Sequence, residues 1–289
     1  MESTQLQNLL QSKMEKMPTK AHRVVEYLLS NMREAAFKSI GDVAEELSVS
    51  KAQLVRVARM LGFNGYSELK EALRSVVLEQ VNPAAMLARV MDARQDLPQN
   101  IHKLEHANLD DTWSQINPDN VGSFCSILQA APAIYCIGWG ISSMVAESLH
   151  MRLRVMGMRS ILMKRSGMTL QEQARSIRKG DVAVVCELPS FVLEVTEAVE
   201  LASQQGATVI TITDSPAAPI CRHADLKFYV SAASPMFGSS IIGPLFLVHI
   251  LSSVLAVNMG EATRDAMDMQ AHFLHDERIF HPVFGLKYT

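Results

Sequence analysis

Two sets of residues in this 289-residue chain have the types and spacing to do chemistry. In the first, Lys51, Gln53, Arg56 and Arg59 share one side of the stretch KAQLVRVARMLG, while Leu54, Val57, Ala58 and Leu61 recur at helical spacing on the other. Lys, Arg and Gln are the side chains that reach base edges and phosphates in a DNA groove. Ser50 precedes the stretch and Lys70 follows it, which extends the candidate contact set to Ser50, Lys51, Gln53, Arg56, Arg59 and Lys70. In the second set, Gly138, Gly140, Ser142 and Ser143 follow the apolar run AIYCIG. Glycines let a ligand approach the backbone, and serine hydroxyls beside helix amides favour an anion. A plain strand-to-helix turn accounts for those four residues equally well. Glu187 with Ser190, and Thr213 with Asp214, follow two further apolar runs, DVAVVCE and ATVITIT.

Other constellations are weaker. His272 and His275 stand at i, i+3, with Asp276 and His281 nearby, a spacing that can hold a metal. No further ligand pair is evident, and Cys221 with His223 has the same weakness, so no metal and no cofactor are expected. The 17 Met read as core filling. Cys125, Cys136, Cys186 and Cys221 form no CxxC pair, and the first residues lack a cationic-then-apolar leader. A reducing, cytoplasmic setting follows. The apolar stretch from Ile241 to Val257 carries Pro244 and His249 and is short for a membrane span, so it reads as a buried core helix and no membrane partner is expected.

The elements that must position these residues fall into two domains, as the length suggests. Residues 1–80 hold 11 Lys and Arg against 10 Asp and Glu, and the remainder 16 against 20, so the N-terminal part is the more basic. Residues 49–78 concentrate the excess, five against two, a patch suited to a phosphate backbone or to a solvated helix face. From Thr19, apolar positions Ala21, Val24, Val25, Leu28 and Leu29 predict a first helix ending near Arg33. Ser39 heads a second, short helix with Asp42 in its first turn. Ser48, Val49 and Ser50 then turn the chain into a third helix, with Ser50 and Gln53 at capping-box spacing and Gly62 as the stop. Two short helices joined so tightly predict a helix-turn-helix unit whose second helix enters the major groove.

The run IGDVAEELSVSKAQLVRVARMLGFNGYSELKEALR resembles the N-terminal domain of the RpiR family of bacterial regulators over about residues 10 to 80. Gln53 stands where that family usually has Thr or Ser, so the operator sequence does not transfer. Pro83, Pro98 and Pro118 flank a polar helical stretch and predict a linker over 81–119. From Ala133, five apolar runs alternate with helical segments, which predicts a parallel sheet covered on both faces. In such sheets ligands bind at the carboxyl ends of the strands, and the eight residues from Gly138 to Asp214 named above all fall there. The segments RKGDVAVVCE and QQGATVITITDSPAAPICRHADLKFYV, with the glycine-serine turn, resemble a sugar isomerase (SIS) domain over 120–258. The resemblance implies an all-α helix-turn-helix domain followed by a doubly wound, mainly parallel, five-stranded α/β sandwich. It implies boundaries of 1–80, 81–119, 120–260 and a tail of 261–289. It also implies a transcriptional regulator that binds an operator as a homodimer or homotetramer and senses a sugar or sugar phosphate.

One departure bears on the ligand. The family has a Ser/Gly/Thr-rich phosphate loop after the third strand, where this chain has CELPSFVLEV. Glu187 and Pro189 replace two serines, Ser190 the glycine and Val192 the threonine. A carboxylate about 5 Å from a phosphate, at an effective dielectric near 20, costs about 3 kcal/mol per unit of phosphate charge. Three readings follow. The ligand lacks a phosphate and offers hydroxyl or ammonium groups to Glu187, or Lys164 and Arg165 hold the anion, or the domain only oligomerises. A fourth possibility is a sugar phosphate isomerase, with Glu187, His223 or His249 as its acid or base. The altered loop and the attached DNA-binding unit oppose it, and no catalytic residue is assigned.

Overall fold

The computed structural model describes residues 3–14, 17–80, 84, 87, 90, 91, 96–235, 238–276 and 281. Pro83 of the expected linker, and the tail beyond Asp276 apart from His281, lie outside the described residues. The chain divides into two compact units, one made up mainly of Met1–Pro98 and the other drawn mainly from Gln99 onward.

The first unit is helical: α1 (Ser3–Met14), α2 (Thr19–Ser30), α3 (Met32–Phe37), α4 (Ile40–Glu46), α5 (Lys51–Leu61) and α6 (Tyr66–Gln80). Leu10, Val25, Leu28, Val43, Leu54, Leu61, Leu69 and Leu73 are fully buried in one shared core. Truncating one such leucine to alanine costs about 2–5 kcal/mol. The periodicity read from Thr19 is therefore real, but it does not make one helix to Arg33. Asn31 leaves helical geometry at φ −125° and starts the separate α3. Ser39 closes a reciprocal capping box with Asp42 on α4. At the tight turn, Val49 N donates to Ala44 O at 2.8 Å and Ser48 takes φ 53°, which ends α4 and leads the chain into α5. Lys38 Nζ binds Glu46 at 2.7 Å and Glu34 at 2.9 Å, and Tyr27 Oη donates to Glu46 at 2.8 Å, so α4 is also tied to the helices before it.

The second unit contains α7 (Leu97–Ser114), α8 (Pro118–Ala130), β1 (Ile134–Gly138), α9 (Ser142–Val155), β2 (Ser160–Met163) and α10 (Leu170–Ala174). It continues with β3 (Val182–Glu187), α11 (Leu193–Gln204), β4 (Thr208–Thr213), a 3₁₀ turn (Pro219–His223), β5 (Leu226–Tyr229), α12 (Ile242–Met259) and α13 (Glu261–Asp276). The sheet order is β2-β1-β3-β4-β5, with every pair parallel. Strand residues alternate between two cores. Ile134, Cys136, Val184 and Ile212 meet α8, α9 and α12, whereas Tyr135, Ile137, Ala183, Val185 and Val209 meet α10 and α11. All five strands occupy the runs read from the sequence. The apolar stretch at 241–257 forms α12, whose Leu247, Val248, Leu251 and Leu255 are fully buried in the first of these cores.

Helix α7 lies in the stretch read as linker, yet its residues from Gln99 onward belong to the second unit. Asn108, 1% exposed, donates to Ala233 O at 2.8 Å and accepts from Ala233 N at 3.1 Å and Ser231 Oγ at 2.9 Å. Thr112 Oγ1 accepts from Ser231 N at 3.0 Å. Gly243 fits beneath because a Cβ there would lie 2.3 Å from Ser231 O.

Candidate functional site

On α5 the apolar residues Leu54, Val57, Ala58 and Leu61 are buried, while Lys51, Arg56 and Arg59 are exposed and Gln53 is half-buried. Ser50 Oγ accepts from Gln53 N at 3.2 Å and so caps the helix. Its hydroxyl serves the helix head, the part of a recognition helix that meets base edges. Gly62 closes the other end at φ 102°. Arg59 Nε donates to Asn64 O at 3.3 Å, and the half-buried Lys70 donates to Phe37 O at 3.3 Å. Lys51 and Arg56 are exposed, and the Lys51 side chain lies beside Gly41 of α4. Lys70 is partly occupied within the protein.

In the second unit the sheet order reverses between β1 and β3, since β2 lies on one side of β1 and β3 to β5 on the other. The crevice at the carboxyl ends of those two strands is the switch point where open α/β sheets take ligands. Gly138 ends β1 in register with Cys186, and Glu187 ends β3 in register with Thr213. The turn after β1 is tight enough that a Cβ on Gly138 would sit 2.7 Å from Ser142 O, and Gly140 has φ 54°. Ser142 is buried and its hydroxyl accepts from Leu188 N at 3.1 Å, which ties the β1–α9 turn to the segment after β3. Ser143 Oγ donates to Gly140 O at 2.7 Å.

The β3 end is enclosed. Glu187 is 3% exposed. Its Oε1 accepts from Val192 N at 2.8 Å, at the head of α11, and its Oε2 is buried without a hydrogen-bond partner. Burial and the neighbouring Asp214 push its carboxyl up to about 7, although the Val192 amide works the other way. Thr213 is fully buried and its Oγ1 also lacks a partner. By strand alternation both side chains face the α10–α11 side. Ser190 stands exposed between them and α11, at φ 103°, a conformation that L-residues rarely adopt. The basic pair beyond β2 is engaged as well: Lys164 binds Glu147 at 3.1 Å, and Arg165 binds Glu194 at 2.8 Å.

Of the isomerase acid–base candidates, His249 is exposed halfway along α12 and His223 ends the 3₁₀ turn. His102 and His106 escaped the sequence reading although H-x-x-x-H is a visible signal. Their Nε2 atoms lie 3.1 Å apart on the exposed side of α7. Among the described residues no group of three or more His, Cys, Asp and Glu is placed to hold a metal ion. An apolar groove of about 710 Å³ runs along α9, α12 and α13, lined by Met144, Met151, Val155, Leu245, Ala256 and Met267. Its lining also includes Glu147, Ser148, Arg152, Ser252 and Ser253.

Residues 4–79 match the helix-turn-helix domain of the rpiR family, and residues 127–254 match the SIS domain. The HTH-type transcriptional regulator RpiR of Escherichia coli K12 is 28% identical over 260 residues, covering 88% of this chain and 87% of that protein. Among solved structures, the NanR protein of Vibrio vulnificus, in complex with ManNAc-6P, is 26% identical with a TM-score of 0.64. That likeness covers 94% of this chain and 98% of that one. The sugar isomerase domain of an RpiR transcription factor from Sphaerobacter thermophilus shares the fold, with a TM-score of 0.59 at 22% identity, over 62% of this chain and 99% of that one.

Proposed function

The chain belongs to the rpiR family of helix-turn-helix transcriptional regulators with a SIS domain, and from that premise we propose that it binds operator DNA as a homodimer or homotetramer and that a small sugar-class metabolite adjusts this binding. The observation that carries the DNA reading is the head of α5. Lys51, Gln53 and Arg56 occupy the first turns of a helix fixed by Ser50 at one end and by the core at the other, with Arg59 and Lys70 on phosphates. The effector sits at the carboxyl ends of β1, β3 and β4, bounded by Gly138, Gly140, Ser142, Ser143, Glu187, Ser190, Thr213 and Asp214. Support for a sugar derivative comes from the ManNAc-6P complex of the NanR protein.

One helix-turn-helix reads few bases, and a dimer pairs two half-sites about one helical turn apart or a multiple of that. The groove along α9, α12 and α13, with Met144 and Met151 more than half exposed, supplies apolar surface for a second copy. The effector acts by preferring one arrangement of the two DNA-binding domains, so its affinity differs between free and operator-bound protein by the factor by which it shifts operator affinity. The activity is regulatory and cytoplasmic, without catalysis. Selection of genomic fragments on the purified protein, then sedimentation with and without the selected DNA, tests this. A symmetric site bound by a dimer or tetramer is expected. Failure to enrich any sequence, or a monomer at micromolar concentration that DNA does not alter, would overturn it, as would turnover of sugar phosphates by the same preparation.

A further inference from the structure

The head of α11 follows closely on the carboxyl end of β3, and helix-terminal amides favour anions. Within the chain the amide just before that helix is already taken. Glu187 reaches back from the end of β3 and accepts from Val192 N at 2.8 Å. A second carboxylate, Glu194, lies in the first turn of α11, where it binds Arg165 at 2.8 Å and accepts from Leu170 N at 2.8 Å. Asp214 follows β4 close enough to act electrostatically on Glu187. Lys164 is bound to Glu147, and the hydroxyls of Ser142 and Ser143 bond to Leu188 N and Gly140 O. A phosphate entering this corner would meet the Glu187 carboxylate, with Asp214 acting on it, and would have to displace Glu187 from its amide.

Two buried atoms indicate what the corner does accept. Glu187, 97% buried by its 3% exposure, leaves Oε2 without a partner, and its register neighbour Thr213, at 0% exposure, leaves Oγ1 without one. A carboxylate oxygen accepts and a threonine hydroxyl donates and accepts, so a ligand hydroxyl or ammonium satisfies both. Residues 188–192 connect Glu187 to α11, and Ser190, at φ 103° within them, is the strained position of that segment.

We infer that Glu187 is the specificity-determining residue of the sensor: it fills the anion position at the head of α11 from within the chain, excludes phosphate there, and reserves the corner for a hydroxyl- or ammonium-bearing sugar. The inference rests on the effector site proposed above, and deepens it.

The test uses the full chain at pH 8, with inorganic phosphate, ManNAc and ManNAc-6P as probes. Calorimetry gives affinity and hydrogen exchange locates each response. The expected wild type shows no saturable phosphate binding at matched ionic strength and prefers ManNAc to ManNAc-6P. Glu187→Ser opens the amide and gains a phosphate site, with ManNAc-6P binding at least tenfold tighter than in the wild type and new protection over residues 187–192. Glu187→Gln, which keeps the shape, gains less, and its melting temperature checks that folding is intact. A wild type that binds ManNAc-6P more tightly than ManNAc, with protection over 187–192, overturns the role of Glu187 while leaving the site in place. Equal responses in all three proteins, with protection away from the strand ends, overturn the site and the inference together. No gain of phosphate binding in either variant overturns the inference.

Discussion

The heads of α5 and α11 carry the two proposed functions, and they are held in different ways. α5 is capped by Ser50 through Gln53 N, a bond between residues three apart, and its outward side chains are left for a partner. Val192, the residue before α11, makes no side-chain cap, and its amide is taken by Glu187 from the end of a strand. The first head is a local device with functional groups to spare. The second is built from a strand, a connecting segment and a buried carboxyl, and its polar groups mostly face one another. A recognition helix can therefore be read in one stretch of sequence, whereas a sensor pocket depends on groups brought together from three strands.

The largest effect expected from this contrast is in the pH dependence of stability. The Glu187 carboxyl titrates near 7 in the folded protein against 4.5 when unperturbed, so the folded state binds a proton that the unfolded state has released. Stability must fall as pH rises between those values, and this contribution is flat above and below them. The loss is on the order of 3 kcal/mol in all. Glu187→Gln removes it, so the melting temperature of the variant should change less than that of the wild type between pH 5 and pH 8. Parallel curves would mean that the carboxyl is not buried as described.

Next is Gly138→Ala, which forces a Cβ to within 2.7 Å of Ser142 O and 2.8 Å of Ser143 Cα. Both are backbone atoms, so the turn must shift, at about 2–3 kcal/mol. Thermal unfolding measures it, and an unchanged melting temperature would show the turn to be looser than its geometry. At the other head, Arg56→Ala should weaken operator binding by about tenfold to a hundredfold, as for the loss of one base contact, without lowering the melting temperature. A gel shift with the selected operator decides it; equal affinity would remove Arg56 from the interface. The smallest effect is expected from Ser50→Ala, about 1 kcal/mol of stability from the lost cap. Chemical denaturation resolves that, and a change much larger than this would mean that Ser50 does more than cap α5.

The helix-turn-helix was legible because its signals are local. Ser39, Asp42, Ser50 and Gly62 act within a few residues of where they stand, and the apolar spacing of α4 and α5 names the buried face without reference to the rest of the fold. The break at Asn31 was not legible, since the periodicity of Ala21 to Leu29 carries no mark of where the helix stops. The strands were legible as apolar runs buried on both faces. Glu187 could be placed at the end of β3, but whether its carboxyl faced a ligand or the chain depended on Val192, five residues later and across a turn. Lys164 and Arg165 looked available because their partners, Glu147 and Glu194, lie 17 and 29 residues away.

The sequence by itself determined what repeats at short range: which segments become helices and strands, which faces are apolar, and which residues begin and end each helix. Those properties follow from side-chain type and spacing, so they survive without knowledge of the neighbours. Tertiary structure alone decided which polar groups meet. The parallel register set Glu187 beside Thr213, the crossover from β3 delivered Val192 to the carboxyl, and the segment after β5 came to rest on Asn108 and Thr112 of α7, more than a hundred residues earlier. A buried hydrogen bond or charge takes its energy from the atoms within a few ångströms, and in this chain those atoms come from parts of the sequence that carry no sign of each other.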